Sequence, residues 1–247
     1  MLPSIPHRSH AMRAIRLPAS KNRLLAAFPS GVLRSLEHRL QRVVPAMGET
    51  IDDPRERLRY AVFPEDCVIS AICLTHEGKT IEVANIGREG MTGLAAIAGV
   101  DQIPHRYVVQ IPGAALRIGA RELAEVAGYD TTLAGVLLRY NASFASQVMQ
   151  NVACSGLHSL EQRCCRWLLA THDRIESDQF PLTHEVLAML LGTRRSSVSD
   201  VLKNLRDHHL IEYHRGLITI VDRSALEQRS CECYEVVARM HAGKFRK

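Results

Sequence analysis

No stretch of this sequence approaches the roughly 18 consecutive apolar residues of a membrane-spanning helix, so no helical membrane segment is expected. The first ten residues lack the long apolar core of a secretory signal, so export is not expected. Catalytic signatures are missing as well. There is no Gly-x-Ser-x-Gly elbow, no phosphate-binding loop and no His-Glu-x-x-His pair. A cysteine nucleophile would need a partnered histidine that sequence cannot show. An enzyme is therefore not expected. The seven cysteines form no tight repeating framework, and their number is odd. That usage fits reduced thiols in the cytoplasm rather than a disulfide scaffold.

What is present is the composition of a folded protein. The chain has 247 residues, 46% hydrophobic and 23% charged, enough apolar surface to offset the ordering entropy of one large or two ordinary domains. Net charge is +5, unevenly spread. Residues 1–58 hold 10 Lys and Arg against 5 Asp and Glu, residues 59–156 hold 7 against 9, and residues 157–247 hold 14 against 12. Two basic ends around a mildly acidic middle permit nucleic-acid binding without demanding it.

Residues 1–21 read as a flexible basic arm carrying Arg8, Arg13, Arg16 and Lys21. A solvated tail is the plain reading, and an arm touching DNA or a partner is the alternative. Helical spacing follows over residues 22–42, through Leu24, Leu25, Phe28, Val32, Leu33, Leu36 and Leu40, broken into two short helices by Pro29 and Gly31. Strand-like runs then occupy residues 68–74, 80–86, 107–111 and 114–118, with turns at Glu77-Gly78 and Pro112-Gly113. A short helix is expected at residues 95–98. Short strands at this spacing suggest an antiparallel roll, a sensory domain over residues 22–130.

From Thr131 the period becomes helical. Leu133, Leu137, Tyr140, Phe144 and Val148 fall on one stripe, continued by Gln147, Asn151 and Ser155. That stripe is expected to pack on the same helix of a second copy, giving a dimerisation helix and hinge over residues 131–158. Packing on its own domain is the alternative. Ser159 with Gln162 reads as a capping box opening the next helix and the final domain, residues 159–247.

Residues 183–209 carry the functional signal. Thr183 is a natural N-cap, and Val186, Leu187, Leu190 and Leu191 form one apolar face. Gly192 ends that helix, Thr193 can cap the next, and Val198, Val201, Leu202 and Leu205 form its buried face. Small Ala188 stands where two helices must cross closely. This is helix-turn-helix spacing. The second helix then presents Arg194, Arg195, Ser196, Ser199, Asp200 and Lys203 outward, with Ser197 and Lys203 able to reach phosphates. Residues 210–213 and 217–220 make a hairpin around His214-Arg215-Gly216, a wing that would bring Arg215 near the DNA backbone. One more helix is expected over residues 224–240.

The stretch from Leu182 to Ser199, together with Phe63-Pro64, Glu77-Gly78-Lys79 and the run from Gly87 to Leu94, resembles the Crp/Fnr family of bacterial transcription regulators over residues 22–223. The resemblance implies an α+β fold: an N-terminal antiparallel β-roll with flanking helices, a long dimerisation helix and a C-terminal winged helix-turn-helix. It implies a homodimer reading a two-fold symmetric site on double-stranded DNA, and contact with RNA polymerase if the protein activates. By position Arg195 matches the family's base-reading arginine. Ser196 and Asp200 stand where the cyclic-AMP-responsive members have an acid and a basic residue, so a different DNA sequence preference is expected. Glu89, Gly90, Gly93 and Leu94 approximate part of the family's effector cassette, and Arg106 is the available arginine. Tyr107 and Val108 follow it where cyclic-nucleotide members carry a small residue, so a different ligand, or none, is favoured over a cyclic nucleotide. Residues 1–66 contain no cysteine, which excludes the N-terminal iron–sulfur cluster of oxygen-sensing relatives. Cys164 and Cys165 are expected in a helix core. Cys231-x-Cys233 lacks a second visible ligand pair, and His76, His105 and His158 read as lone histidines, so no metal is assigned. The competing function is a dimeric small-molecule sensor or scaffold without DNA binding, which would not need Arg194, Arg195 and Lys203 on one face.

Overall fold

The computed structural model describes residues 20–243; the basic arm expected over residues 1–21 lies almost wholly outside them. Asn22 is the first anchor. Its Oδ1 accepts from the Leu25 amide at 2.8 Å, capping α1 (Arg23–Ala26). Its Nδ2 donates to the Pro64 and Gly90 carbonyls at 2.8 and 2.9 Å, pinning that helix to the roll. α2 (Ser30–Leu36) follows across Pro29. The helical period does not continue to residue 42 as the spacing predicts. Residues Gln41–Val43 form strand β1, because the edge of a sheet offers them backbone partners.

Two antiparallel sheets make the roll. One orders β1, β7 (Ala115–Gly119) and β3 (Tyr60–Pro64). The other orders β2 (Thr50–Asp52), β6 (Arg106–Ile111), β4 (Val68–Leu74) and β5 (Thr80–Ile86). Ile69 pairs with Ile86 in register, and both are buried between the sheets with Val62, Tyr107 and Ala115. A 3-10 turn (Leu94–Ala98) precedes β6. Helix α3 (Ala120–Tyr129), which the sequence reading did not separate, closes the roll below β3 and β7.

Asp130 caps α4 (Thr131–Leu157) through the Leu133 amide at 2.8 Å. The stripe expected to meet a second copy is corrected here. Leu133, Leu137 and Tyr140 are buried in the chain's own core with Leu24, Phe63 and Leu123. Phe144 and Val148 are half-buried and pack on the same roll. Tyr140 also donates to the Met91 carbonyl at 2.8 Å and accepts from the Met91 amide at 3.0 Å. The roll thus satisfies this apolar face, and the opposite face is left open.

Ser159 and Gln162 form the expected capping box on α5 (Leu160–His172). Then come β8 (Gln179–Pro181), α6 (His184–Leu190), α7 (Arg195–Asp207), β9 (Ile211–His214) and β10 (Leu217–Ile220). β8 joins the wing as a third strand beside β10. Cys164 and Cys165 are buried with Trp167, Leu168, Phe180, Leu187 and Val198. That core reaches across to Val68, Ile72 and Ile111, so this part of the chain is docked on the second sheet of the roll.

Two polar links cross the same junction. Arg174 and Glu89 form a buried ion pair, with Nε and Nη2 at 2.9 and 2.8 Å from Oε1. Trp167 donates from Nε1 to Glu82 Oε1 at 2.9 Å, and Ser70 donates to the other oxygen. Burial pushes the Glu82 carboxyl up to about 7, against the pull of those two donors. A carboxyl raised in the fold binds its proton more tightly there than in the unfolded chain. Stability from Glu82 is therefore fullest below about pH 4.5 and is lost as pH rises to about 7. Asp52, raised by burial to about 6, acts in the same direction. Thermal melts from pH 5 to 8 will fall across this window, and Glu82→Gln will flatten the fall to the part due to Asp52. An unchanged slope in that variant would refute the assignment.

The single helix expected over residues 224–240 is corrected too. α8 (Arg223–Arg229) and α9 (Cys233–Gly243) are separate, with Ser230 extended between them. The break sets Cys231 and Cys233 against Cys154 and His158 from the end of α4. This is the second ligand pair that spacing did not reveal.

Candidate nucleic-acid interface

The turn between α6 and α7 is built on Gly192, whose φ of 61° is the left-handed conformation that a side chain disfavours. A Cβ there would also lie 2.8 Å from Ile81 Cδ1 on β5. The amides of Gly192 and Thr193 close the helix end on the Met189 and Ala188 carbonyls at 3.1 and 2.9 Å. Arg163 donates to the Leu191 carbonyl and ties the turn to α5. Ala188 is buried where the helices cross, and Val198, Leu202 and Leu205 are buried opposite it. Val201 is half-buried.

Thr183 caps α6 through the Val186 amide at 3.2 Å and is otherwise exposed. Thr193 does not cap α7. Arg194 occupies that position, and its side chain makes no capping bond. The first-turn amides of α7 therefore lack a side-chain cap, at the end of a helix that favours anions.

The outward face of α7 is as the spacing predicts. Arg194, Arg195, Ser196, Asp200 and Lys203 are exposed, and Ser197 and Ser199 are half-buried. Two details were not legible. Arg195 Nε pairs with Glu185 Oε1 at 2.7 Å. Ser199 Oγ lies 2.8 Å from His184 Nδ1 and donates to the Arg195 carbonyl at 3.0 Å. The His184 ring packs at a tilt of 43° on Tyr213 with centroids 4.5 Å apart, so His184 joins Ser199 of α7 to the wing. No sequence signal joins positions this far apart.

The wing turn has Arg215 and Gly216 at φ of 48° and 80°, between paired His214 and Leu217. Two successive positive φ values are the two-residue hairpin connection that matches strand twist. The turn holds Arg215 exposed at the tip.

The five residues expected around an effector do not converge. Gly93 and Leu94 line a cavity of about 450 Å³ between the 3-10 turn, β6 and α4. Glu89 is held by Arg174 instead, and although burial alone would push its carboxyl up, the guanidinium brings it down to about 2. Gly90 lies under the Tyr140 ring, where a Cβ would meet Oη at 2.4 Å. Arg106 pairs with Asp53 at 2.7 Å and does not line that cavity.

The Crp-like helix-turn-helix domain family matches residues 162–229. Among solved structures, a Crp/Fnr-family transcriptional regulator from Eubacterium rectale is similar at 20% identity and a TM-score of 0.66, covering 84% of this chain and 97% of its own. FixK2 from Bradyrhizobium japonicum is similar at 17% identity and 0.64, covering 78% and 98%. The c-di-GMP-responsive global regulator CLP of Xanthomonas campestris is similar at 14% identity and 0.57, covering 78% and 99%. No curated protein sequence matches the chain significantly. With a Crp-like helix-turn-helix domain over residues 162–229 whose α7 face stands exposed, the chain is a DNA-binding transcription regulator, and its fold is similar to that of these Crp/Fnr regulators.

Proposed function

We propose that the regulator works as a cytoplasmic homodimer that reads a two-fold symmetric operator, each protomer laying α7 in a major groove. The observation that carries this reading is the exposed α7 face, where Arg194, Arg195 and Lys203 are open to solvent and only Arg195 has an ion-pair partner among the described residues, the exposed Glu185. In this reading Arg195 addresses a base edge, with Ser196 and Asp200 beside it setting preference. Lys203, Ser197, Thr183 and the wing-tip Arg215 address phosphates, as do the open amides at the start of α7. Arg194 and Ser199 flank the base-reading position.

The dimer seam is the face of α4 that the roll leaves uncovered. Leu138, Ala142, Ala145, Met149, Val152 and Gly156 follow one another at alternating steps of four and three, which is coiled-coil spacing. Leu138, Met149 and Val152 are each about two-thirds exposed in the single chain, which supports a partner there. Met149→Glu will place a charge in that seam. The variant is expected to sediment as a monomer and to lose at least tenfold in operator affinity, because one protomer then holds only one half-site. Dimeric behaviour in that variant would overturn this seam.

The effector belongs, in this reading, to the cavity that Gly93 and Leu94 line. Its walls are mainly apolar, with Met91, Ile97, Leu137 and Phe144, and Leu138 joins it to the proposed seam. His105 Nε2 has no hydrogen-bond partner among the described residues, and burial lowers its pKa, so it offers a neutral polar handle. No arginine or lysine among the described residues lines the cavity, which favours an uncharged small molecule over a cyclic nucleotide. A ligand that binds one arrangement of the α4 pair better than the other would shift the spacing of the two recognition helices. Contact with RNA polymerase belongs to this reading if the regulator activates. No described helix is long and apolar enough to cross a membrane.

A further inference from the structure

We propose that Cys154, His158, Cys231 and Cys233 bind one tetrahedral zinc ion that fastens the end of α4 to the link between α8 and α9. The four ligand atoms lie within 4.8 Å of one another. Cys154 Sγ is 3.5 Å from Cys231 Sγ, and Cys233 Sγ is 3.6 Å from His158 Nδ1. Ligands at zinc bond lengths and tetrahedral angles lie about 3.5–3.8 Å apart, so the spacing is that of a single ion. An iron–sulfur cluster spreads its thiolates over several metal and sulfide atoms and needs more room than these four leave.

Chain geometry explains why they meet. Cys154 and His158 are four residues apart at the last turn of α4, on one face. Cys231 and Cys233 bracket one residue where the chain leaves its extended link, and both sulfurs turn inward. Cys154, Cys231 and Cys233 are at most 3% exposed and pack as a group apart from the three apolar cores. The surroundings suit a metal. Glu232 Oε2 lies 3.2 Å from His158 Nε2, which leaves Nδ1 to face the thiols, the carboxylate–histidine–metal order of many zinc sites. Gln150 donates to Cys233 Sγ at 3.0 Å. Three thiolates and one divalent cation leave a single negative charge, and Arg163 and Arg166 interact electrostatically with these sulfurs. Four protein ligands leave no open position, so the ion is structural rather than catalytic.

The place of the site gives it a consequence. α8 packs on α5, and α9 packs on α4 and α5. An ion here holds the last turn of α4 to the winged helix-turn-helix at the hinge between them. It therefore fixes how the winged helix-turn-helix sits on the end of α4.

The test uses the full-length protein purified without chelator or added metal. Elemental analysis is expected to find about one zinc per chain. Replacement by cobalt is expected to give the visible bands of a tetrahedral thiolate site. Cys154→Ser and Cys231→Ser will each lose the ion, whereas Cys73→Ser, on β4 and outside the cluster, will keep it. Should the first two fold poorly, the wild-type protein decides: a strong chelator will release the zinc, and three thiols will become newly reactive. Substoichiometric metal with no cobalt bands would overturn the proposal. So would zinc retained in both ligand variants, iron with acid-labile sulfide in place of zinc, or a Cys154–Cys231 disulfide in freshly purified protein.

Discussion

Replacing Arg174 with alanine will cost about 3–5 kcal/mol of folding stability, the usual result of stranding one partner of a buried ion pair. Arg174 and Glu89 are both about 95% buried, and the guanidinium reaches Glu89 Oε1 through two nitrogens. Glu89 also accepts from the Gly87 amide at 3.1 Å, so its charge is held from two sides. The other carboxylate oxygen has no hydrogen-bond partner among the described residues. Arg174 further donates to the Ala170 carbonyl, and its stem covers Gly87, where any Cβ would lie 2.5 Å from it. Alanine thus removes packing as well as charge. The pair's contribution is present above about pH 4.5 and fades as pH falls toward 2, because the folded carboxyl is the more acidic one. Denaturant unfolding at neutral pH measures the loss. Exchanging both partners, Glu89→Gln with Arg174→Gln, should cost less than Arg174→Ala alone, since no buried charge is then left unpaired. A loss below about 1 kcal/mol for Arg174→Ala would mean the pair is open to water.

Arg195→Ala will weaken binding to the specific operator by about 1–3 kcal/mol and leave non-specific binding nearly intact, the behaviour of a side chain that reads a base edge. Glu185 now holds Arg195 at 2.7 Å on an exposed surface. Such a pair is worth about 0–1 kcal/mol, less than a bidentate contact with guanine, so the duplex outcompetes it. Quantitative binding to cognate and scrambled duplexes at one salt concentration checks this. Equal losses on both would make Arg195 a phosphate contact.

The recognition unit was legible because its signals are local. Gly192 must take a positive φ for a sharp exit, Ala188 must be small at the crossing, and Val198, Leu202 and Leu205 repeat at helical spacing. The roll's strands showed through period-two patterning and turn glycines such as Gly78, at φ 80°. What stayed hidden depends on partners far along the chain. An apolar stripe on α4 tells that a face is covered but not by what, so the stripe alone does not distinguish the chain's own roll from a second copy. Glu89 matched an effector cassette, but its partner Arg174 lies 85 residues on. The helix period over residues 224–240 ran through residues 230–232 because Leu226, Val237 and their neighbours keep the spacing on both sides of the break. That break, and with it the meeting of Cys231 and Cys233 with Cys154 and His158, has no local signature.

Selection of bound duplexes from a random library by the wild-type protein and by Arg195→Ala tests the recognition assignment most directly. The wild type should enrich an inverted repeat with half-sites centred about one helical turn apart, 10–10.5 base pairs or a multiple. The variant should enrich the same repeat with one position per half-site blurred. An asymmetric site, no enrichment, or identical preferences in the two proteins would contradict it.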